Sequence, residues 1–406
     1  MSITQQIMGL NGDEAIAYAL KQCNVDLVAA YPITPQTIIV EKFSEYVADG
    51  EVDTEFVTTE SEHSAMSASI GGASAGGRVF TASASAGLAL MHEMLTVASG
   101  HRLPIVLAVC NRALSGPINI HCDHSDSMAE RDSSWIQLYS ENPQEAYDNL
   151  IQAFRIGEDP AVQLPCMVTL DGFVVTHTLQ RVSVLPDAAV RSFVGQRQLP
   201  TVNVFGQNVP YKLDPENPLT MGPLALYDYY FEHKRQQEEA MANANPVITK
   251  INDEYAKISG RKYGDGLIQP YMMDDAETAI ICLGSTAGTT RVVVKELRSK
   301  GIKAGLVKIR AFRPFPASEL IKVLRNVKAI GVLDRSGAYG SIGGPIFNEV
   351  RSILYDLDER PFVTDYIYGL GGRDMPTTLI TEVFQDLSNI AKTGTVKQRL
   401  KFVGVR

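Results

Sequence analysis

An α/β fold in two domains, each built on a mostly parallel sheet, is what this chain predicts, and three observations predict it. Short apolar runs rich in Val, Ile, Leu and Ala alternate with amphipathic helical stretches, the pattern of βαβ units whose strands are buried on both faces. The length of 406 residues exceeds the roughly 250–300 residues over which a single core usually grows. The alternation breaks between about residues 196 and 275 and resumes afterwards, which divides the chain.

Taken in order, the first helix is expected over Asp13–Gln22, where Asn11 can cap and Glu14 can close a capping box. The run Asp26–Ala30 reads as a buried strand, followed by Tyr31-Pro32-Ile33-Thr34-Pro35. The two prolines hold Thr34 in a stiff, non-helical turn at that strand's carboxyl end, where α/β folds usually bind ligands. Such a turn is also common structural punctuation. From Ser64 to Gly77 a helix is expected almost without bulky side chains; repeated glycine there points to close backbone approach, either within a tightly packed interior or against a cofactor or subunit. Further helices are expected over Gly87–Ala98 and Pro143–Ile156, with strands over Pro104–Cys110 and Cys166–Leu170.

Between 196 and 275 the chain is first polar and Pro-containing, then carries Tyr227-Asp228-Tyr229-Tyr230, then turns charged from His233 to Glu239. One or two helices wrapping between domains are expected there. Beyond 276 the strands Thr278–Leu283, Ala304–Ile309, Ala329–Leu333 and Phe362–Tyr366 alternate with helices Thr289–Ser299, Ala317–Leu324, Gly344–Tyr355 and Thr377–Leu387. The expected boundaries are therefore 1–235, a linker over 236–275, and 276–406.

Composition narrows the function. With 45% hydrophobic and 20% charged residues the chain is ordinary globular protein, and a net charge of −9 leaves no basic stripe to neutralise nucleic-acid phosphates. Residues 1–14 have neither the basic start nor the apolar core of a secretory signal, and the aliphatic runs are too short to span a bilayer, so a cytoplasmic protein is expected. Five cysteines, Cys23, Cys110, Cys122, Cys166 and Cys282, lie far apart with no C-x-x-C, which excludes a ferredoxin-type cluster motif on this chain and speaks against a disulfide framework. Buried, reduced thiols are expected for four of them; Cys122, in a polar loop, is expected to be accessible.

Three motifs concentrate the chemistry: the Thr34 turn, Glu60-Ser61-Glu62-His63-Ser64-Ala65, and Asn111-Arg112-Ala113-Leu114-Ser115. Arg112 again follows a strand end, and a guanidinium fork beside a neutral hydroxyl suits a carboxylate next to a ketone, although an arbitrary Arg more often makes a surface ion pair. Glu62 at a helix start is ordinarily dipole complementation. The run His121-Cys122-Asp123-His124-Ser125-Asp126 has ligating side chains, but its spacing matches no standard zinc or iron pattern, so no metal is assigned and a polar active-site loop is expected. Gly264-Asp265-Gly266 resembles the start of a thiamine diphosphate motif, but lacks the Asn that should follow, and reads as a turn. The turns at Gly284-Ser285-Thr286 and from Asp334 to Gly344 leave phosphate cradling and simple βα turns both open, with structure favoured at the first.

On those three motifs, and on Asp123–Asp126, Asp171-Gly172-Phe173 with His177, Arg313-Pro314-Phe315-Pro316 and Gly369-Leu370-Gly371-Gly372-Arg373-Asp374, the chain resembles the α subunits of 2-oxoacid:ferredoxin oxidoreductases, the pyruvate enzyme above all. The resemblance covers nearly the whole length. It implies a pyrimidine-type thiamine diphosphate domain followed by a transketolase C-terminal-like domain. It implies Glu62 as the carboxyl group that exchanges a proton beside N1′ of the cofactor, with Pro32 and Ile33 nearby. Thr34 and Arg112 are then substrate-binding, and Asp123, His124 and Asp126 belong to the active-site loop. Thiamine diphosphate is implied as shared with a β subunit that holds Mg²⁺ and diphosphate. The [4Fe-4S] clusters fall to partner subunits, with γ and ferredoxin-like δ chains or fusions among them, coenzyme A as co-substrate and ferredoxin as acceptor. Pyruvate is the expected substrate, with arylglyoxylates such as phenylglyoxylate and branched-chain 2-oxoacids open, and NAD as another possible acceptor. A non-catalytic scaffold subunit is the alternative of a different class; the presence of Thr34, Glu62 and Arg112 together speaks against it. The small-residue helix is expected to lie against the cofactor-bearing partner, with Gly72 and Gly76 at that contact.

Overall fold

The computed structural model describes residues 3–406 and contains two parallel-based sheets flanked by helices. The first has seven strands, in spatial order Ala311–Arg313, Ile136–Ser140, Cys166–Asp171, Val106–Asn111, Val79–Ser83, Leu27–Ala30 and Glu55–Thr58. Six of these run parallel, so their carboxyl ends share one rim; only Ala311–Arg313 is antiparallel. That edge strand comes from the second half of the chain, so the two halves interlock.

The central strands read as continuous apolar or small runs because helices cover both faces. On one face Gly12–Gln22 packs against Pro143–Glu158, burying Ala15, Ile16, Ala19 and Leu20 against Tyr147, Leu150, Ile151 and Phe154. The Asn11 capping box is present, its side chain accepting from Glu14 N and its own N–H donating to Glu14. On the other face lie Glu62–Ser74 and the region expected to be one helix over Gly87–Ala98, which is two, Ser85–Leu90 and His92–Gly100, broken at Met91.

The second sheet has six strands, in order Ile268–Tyr271, Ala304–Ile309, Thr278–Cys282, Ala329–Asp334, Phe362–Ile367 and Leu400–Phe402. All but the first are parallel. Between the sheets the chain forms a small hairpin, Thr201–Val204 with Gln207–Pro210, and then a 30-residue helix, Tyr230–Ser259. Sequence reading makes 236–275 a linker. Its helical part instead buries Ala240, Ala244, Ile248, Ile251 and Tyr255 in the core of the first sheet, because those residues recur at helical spacing.

Buried ion pairs lock the halves together. Lys308 is fully buried and bonds Glu145, with Glu141 at 3.2 Å; Arg291 also binds Glu141, and Arg310 donates to Asn149 and Gln152. Gly264–Gly266 forms a turn whose Asp265 side chain accepts from Leu267 N and Ile268 N.

Candidate functional site

Because six strands of the first sheet run in one direction, the segments that follow them meet at one rim. Thr34 follows Leu27–Ala30, Glu62 follows Glu55–Thr58, Ser85 and Gly87 follow Val79–Ser83, and Arg112 follows Val106–Asn111.

Glu62 begins the helix Glu62–Ser74, capped by the Ser61 hydroxyl accepting from Ser64 N. The Glu62 side chain is buried, yet no side chain or amide among the described residues donates to its carboxylate. It lies against the backbone of Gly87: a Cβ built there would sit 2.3 Å from Glu62 Oε1 and 2.7 Å from Ser83 Oγ, so even an alanine would displace the carboxylate or the hydroxyl. The Ser83 hydroxyl is itself buried without a partner. A buried carboxylate and hydroxyl in a glycine-floored recess are the donor and acceptor set that the edge of an aminopyrimidine can satisfy. Glu60, two residues earlier, is fully exposed and bonds Ser64.

Thr34 and Arg112 are brought together. The turn at Thr34 is held from behind by Gln36, whose amide donates to Ala82 O at 2.8 Å. Thr34, Pro32 and Tyr31 are exposed and Ile33 is half-buried. Arg112 is buried, with Nε donating to Asn119 O and Nη1 to Thr34 O, both at 3.0 Å. One N–H of Nη1 and both of Nη2 remain, so the end of the guanidinium can still meet a carboxylate.

The residues expected in the active-site loop, Asp123, His124 and Asp126, bond to the surrounding protein. Asp126 is buried and accepts four N–H bonds: Oδ1 from Asn111 Nδ2 at 2.8 Å and Ser127 N at 2.7 Å, Oδ2 from Ser85 N and Arg112 N, both at 2.9 Å. It thereby ties together the ends of two strands. Burial pushes its carboxyl up to about 6, and the four donors oppose a larger rise. Asp123 accepts from Ser125 N at 2.9 Å and from Gly371 N at 3.2 Å.

His124 Nε2 meets Asp171 Oδ1 at 2.7 Å, and Asp171 Oδ2 accepts from Arg335 Nη1 at 2.9 Å and from Ser285 N and Oγ. Burial opposes ionisation of Asp171, but His124, Arg335 and Ser285 together outweigh it and hold its carboxyl below the usual range.

Cys122 corrects a sequence expectation. It is fully buried beneath the second domain, and burial pushes its thiol up, so it is neither accessible nor nucleophilic. Its sulfur, His124 and Asp171 do converge, with ligand atoms within 4.8 Å of one another. The Asp171 carboxylate is already engaged by a guanidinium, which disfavours a cation there. Asp171 appears in the sequence only as part of a family motif, and Ser285 and Arg335 only within turns open to phosphate cradling or structure; the structure gives all three a bracing role.

The small-residue helix needs a second correction. Gly72 faces inward: a Cβ there would lie 3.2 Å from Leu27 and 3.3 Å from Val79, and one on Gly76 3.1 Å from Leu199. Gly71 is the exposed glycine of that helix, with open space around it.

Comparisons with known proteins agree with this layout. The family model described as pyruvate flavodoxin/ferredoxin oxidoreductase, thiamine diphosphate-binding, matches residues 18–253, and that of pyruvate:ferredoxin oxidoreductase core domain II matches 276–380. The pyruvate synthase subunit PorA of Thermotoga maritima is 50% identical over 399 residues, 98% of each chain. The ketoisovalerate oxidoreductase subunit VorA of Pyrococcus abyssi is 39% identical over 97% of this chain and 96% of its own. Among solved structures, a 2-oxoglutarate:ferredoxin oxidoreductase from Magnetococcus marinus superposes with a TM-score of 0.71 at 18% identity, covering 95% of this chain. The chain spans 65% of that solved chain, and the likeness is one of fold.

Proposed function

The chain belongs to the pyruvate:ferredoxin oxidoreductase family as an α-type subunit, and from that premise we propose that it carries the aminopyrimidine half and the substrate-carboxylate half of a shared active site. The observation that carries this reading is the rim itself: the carboxylate of the buried residue Glu62, with no donor among the described residues, on the same sheet edge as an Arg112 guanidinium held against the Thr34 turn. The reaction proposed is CoA-dependent oxidative decarboxylation of a 2-oxoacid to an acyl-CoA and CO₂, with two electrons leaving.

Thiamine diphosphate, when bound, supplies the electron sink for loss of CO₂. Glu62 holds and moves a proton at its carboxyl oxygen beside the aminopyrimidine, with the Gly87 backbone against it, where an added Cβ would displace the carboxylate. Pro32 and Ile33 flank the same turn. Arg112 binds the 2-oxoacid carboxylate through the free end of its guanidinium, and the exposed Thr34 hydroxyl donates or accepts beside it. Asp126, His124 and Asp123 hold the loops that carry these groups.

Partner chains supply what the sequence lacks: closely spaced cysteines for [4Fe-4S] clusters, and a complete motif for Mg²⁺ and diphosphate. A β-type chain, with γ- and δ-type chains or their fusions, fills those roles, and ferredoxin takes the electrons in the cytoplasm. Among the described residues, no helix is long and apolar enough to cross a membrane.

Pyruvate is the proposed substrate, favoured by the 50% identical pyruvate synthase subunit. A branched-chain 2-oxoacid is the second reading, favoured by the 39% identical ketoisovalerate subunit. The test is the assembled complex assayed with pyruvate, 2-ketoisovalerate, phenylglyoxylate and 2-oxoglutarate, following CO₂ and acyl-CoA. Pyruvate should give the highest kcat/KM. Preference for 2-ketoisovalerate would select the second reading, and an active complex lacking this chain would make it a scaffold.

A further inference from the structure

We propose that the second domain is a positioning element for the substrate guanidinium: the turn Gly369–Gly372, acting through Asn119, sets where Arg112 points. This rests on the reading of Arg112 as the group that binds the 2-oxoacid carboxylate.

Arg112 is fixed at two points, the carbonyls of Thr34 and Asn119. The first is secured within its own domain by the Thr34–Gln36 turn. The second lies in a stretch, residues 112–124, without helix or strand, whose residues Ser115, Gly116, Pro117 and Ile118 are exposed. Around Asn119 the bonding within the loop is local: Asn119 Oδ1 accepts from His121 N at 2.7 Å, Ala113 N donates to His121 O at 3.0 Å, and Leu114 N donates to Ser125 Oγ at 3.0 Å.

The ends of the stretch are tied within the first domain, Arg112 N to Asp126, Ala113 O by the Ser85 hydroxyl at 2.6 Å and the His124 ring to Asp171, but the anchors of Asn119 itself and of Asp123 come from the second domain. Asn119 Nδ2 donates to Gly371 O at 3.1 Å, Gly371 N donates to Asp123 Oδ2 at 3.2 Å, and His124 N donates to Arg335 O at 2.8 Å. Both polar groups of the Gly371 peptide residue are thus engaged with this one loop.

The fit excludes side chains. Gly371 has φ 61° and Gly372 φ 84°, a region that favours glycine. A Cβ on Gly371 would come within 2.4 Å of Asn119 Nδ2, and one on Gly372 within 2.3 Å of His121 Cβ. The turn itself is carried on a rigid base, because the Lys308–Glu145 and Arg310–Asn149 contacts fix the second sheet against the first. A carboxylate-binding group must be placed to within a fraction of an ångström to orient a ketone for attack, and a rigid neighbouring domain can provide that where a loop cannot.

The test uses the assembled, cofactor-loaded complex and two variants from opposite sides of the contact. Gly371→Ala pushes a methyl at Asn119. Asn119→Asp keeps the acceptor for His121 N but turns the donor toward Gly371 O into an oxygen. Each should raise the KM for the 2-oxoacid about three- to tenfold, the scale of one hydrogen bond, with a smaller fall in kcat and an unchanged KM for coenzyme A. In an Arg112→Ala background neither should change the KM for the 2-oxoacid further, since the effect runs through that guanidinium.

Additive effects in that background, or equal changes in both KM values, would overturn the proposal. If Gly371→Ala does not assemble, Asn119→Asp decides alone. Arg112→Ala with an unchanged KM would overturn the substrate reading, and this inference with it. A raised KM in Arg112→Ala, with no change in the other two variants, would overturn the positioning role only.

Discussion

At the carboxyl end of the first sheet, the Glu62 side chain is buried with no donor to its carboxylate among the described residues, the Ser83 hydroxyl is buried without a partner, and the Thr34 turn stands exposed. At the carboxyl end of the second sheet the corresponding groups face protein: Ser285 and Arg335 bind Asp171, and Gly371 binds Asn119 and Asp123. The same architecture, strands ending in polar turns, therefore has two outcomes. One rim keeps polar groups that the described residues leave unsatisfied, and the other braces it. The difference explains why glycine-rich turns of similar appearance carry different readings: Gly87 lies against the Glu62 carboxylate, whereas Gly371 closes a contact between the two halves of the chain.

The largest effect should come from breaking the open rim. Glu62→Gln should lower turnover of the assembled complex at least about 10²-fold while leaving assembly intact, since proton exchange is lost but shape is kept. Glu60→Gln, at an exposed position, should do far less, and steady-state rates of the two variants side by side check the contrast. Near-normal turnover for Glu62→Gln would remove the distinction between the rims.

Next in size is the link between strand ends. Asp126→Asn replaces an oxygen that accepts two N–H bonds with a donor, which should cost about 1–3 kcal/mol of stability and about tenfold in activity, measured by thermal midpoint and rate. The wild-type protein should show a related pH effect. The Asp126 carboxyl stands at about 6 in the folded chain, above its ordinary value, so the folded state takes up this proton more readily than the unfolded. Its contribution to stability is present at low pH and lost as pH rises through about 6. Activity should then fall on the acid side near pH 6 without a matching loss of stability from this group, and the Asn variant should lack that inflection.

What the sequence made legible follows the same division. Most of the buried parallel strands are legible because helices on both faces demand continuous apolar runs, but Val79–Ser83 and Ile136–Ser140 are not, since their Thr, Ser, Gln and Tyr interrupt that pattern. Thr34 and Arg112 stand out by following legible strands, whereas Glu62 stands out only through the family resemblance. The strand Glu55–Thr58 was missed because four partly exposed residues at a sheet edge carry no such run. Ala311–Arg313 could not be assigned to the first sheet, since that pairing is set by how the halves interlock. The bracing network was illegible for the same reason: Asp171 finds His124 47 residues away and Arg335 164 residues away. Cys122 was misread because its polar neighbours suggest solvent, whereas those neighbours are satisfied by the second domain.

The smallest effects should separate the two groups proposed to meet the substrate. Arg112→Lys keeps the charge but loses the planar donors, and with them the bonds to Thr34 O and Asn119 O that orient the group. The KM for the 2-oxoacid should rise about tenfold, with kcat changed less, because ground-state carboxylate binding suffers first. Thr34→Val removes one neutral hydroxyl from an exposed turn whose backbone contact to Arg112 survives, so its cost should be that of a single hydrogen bond, about 0.5–1.5 kcal/mol, in the same direction. Measured together, the pair tests whether the open rim binds substrate through side chains or through the turn's shape. If Thr34→Val matched or exceeded Arg112→Lys, the hydroxyl and not the guanidinium would be the principal substrate contact. The bracing of Arg112 by the second sheet would then have little to act on.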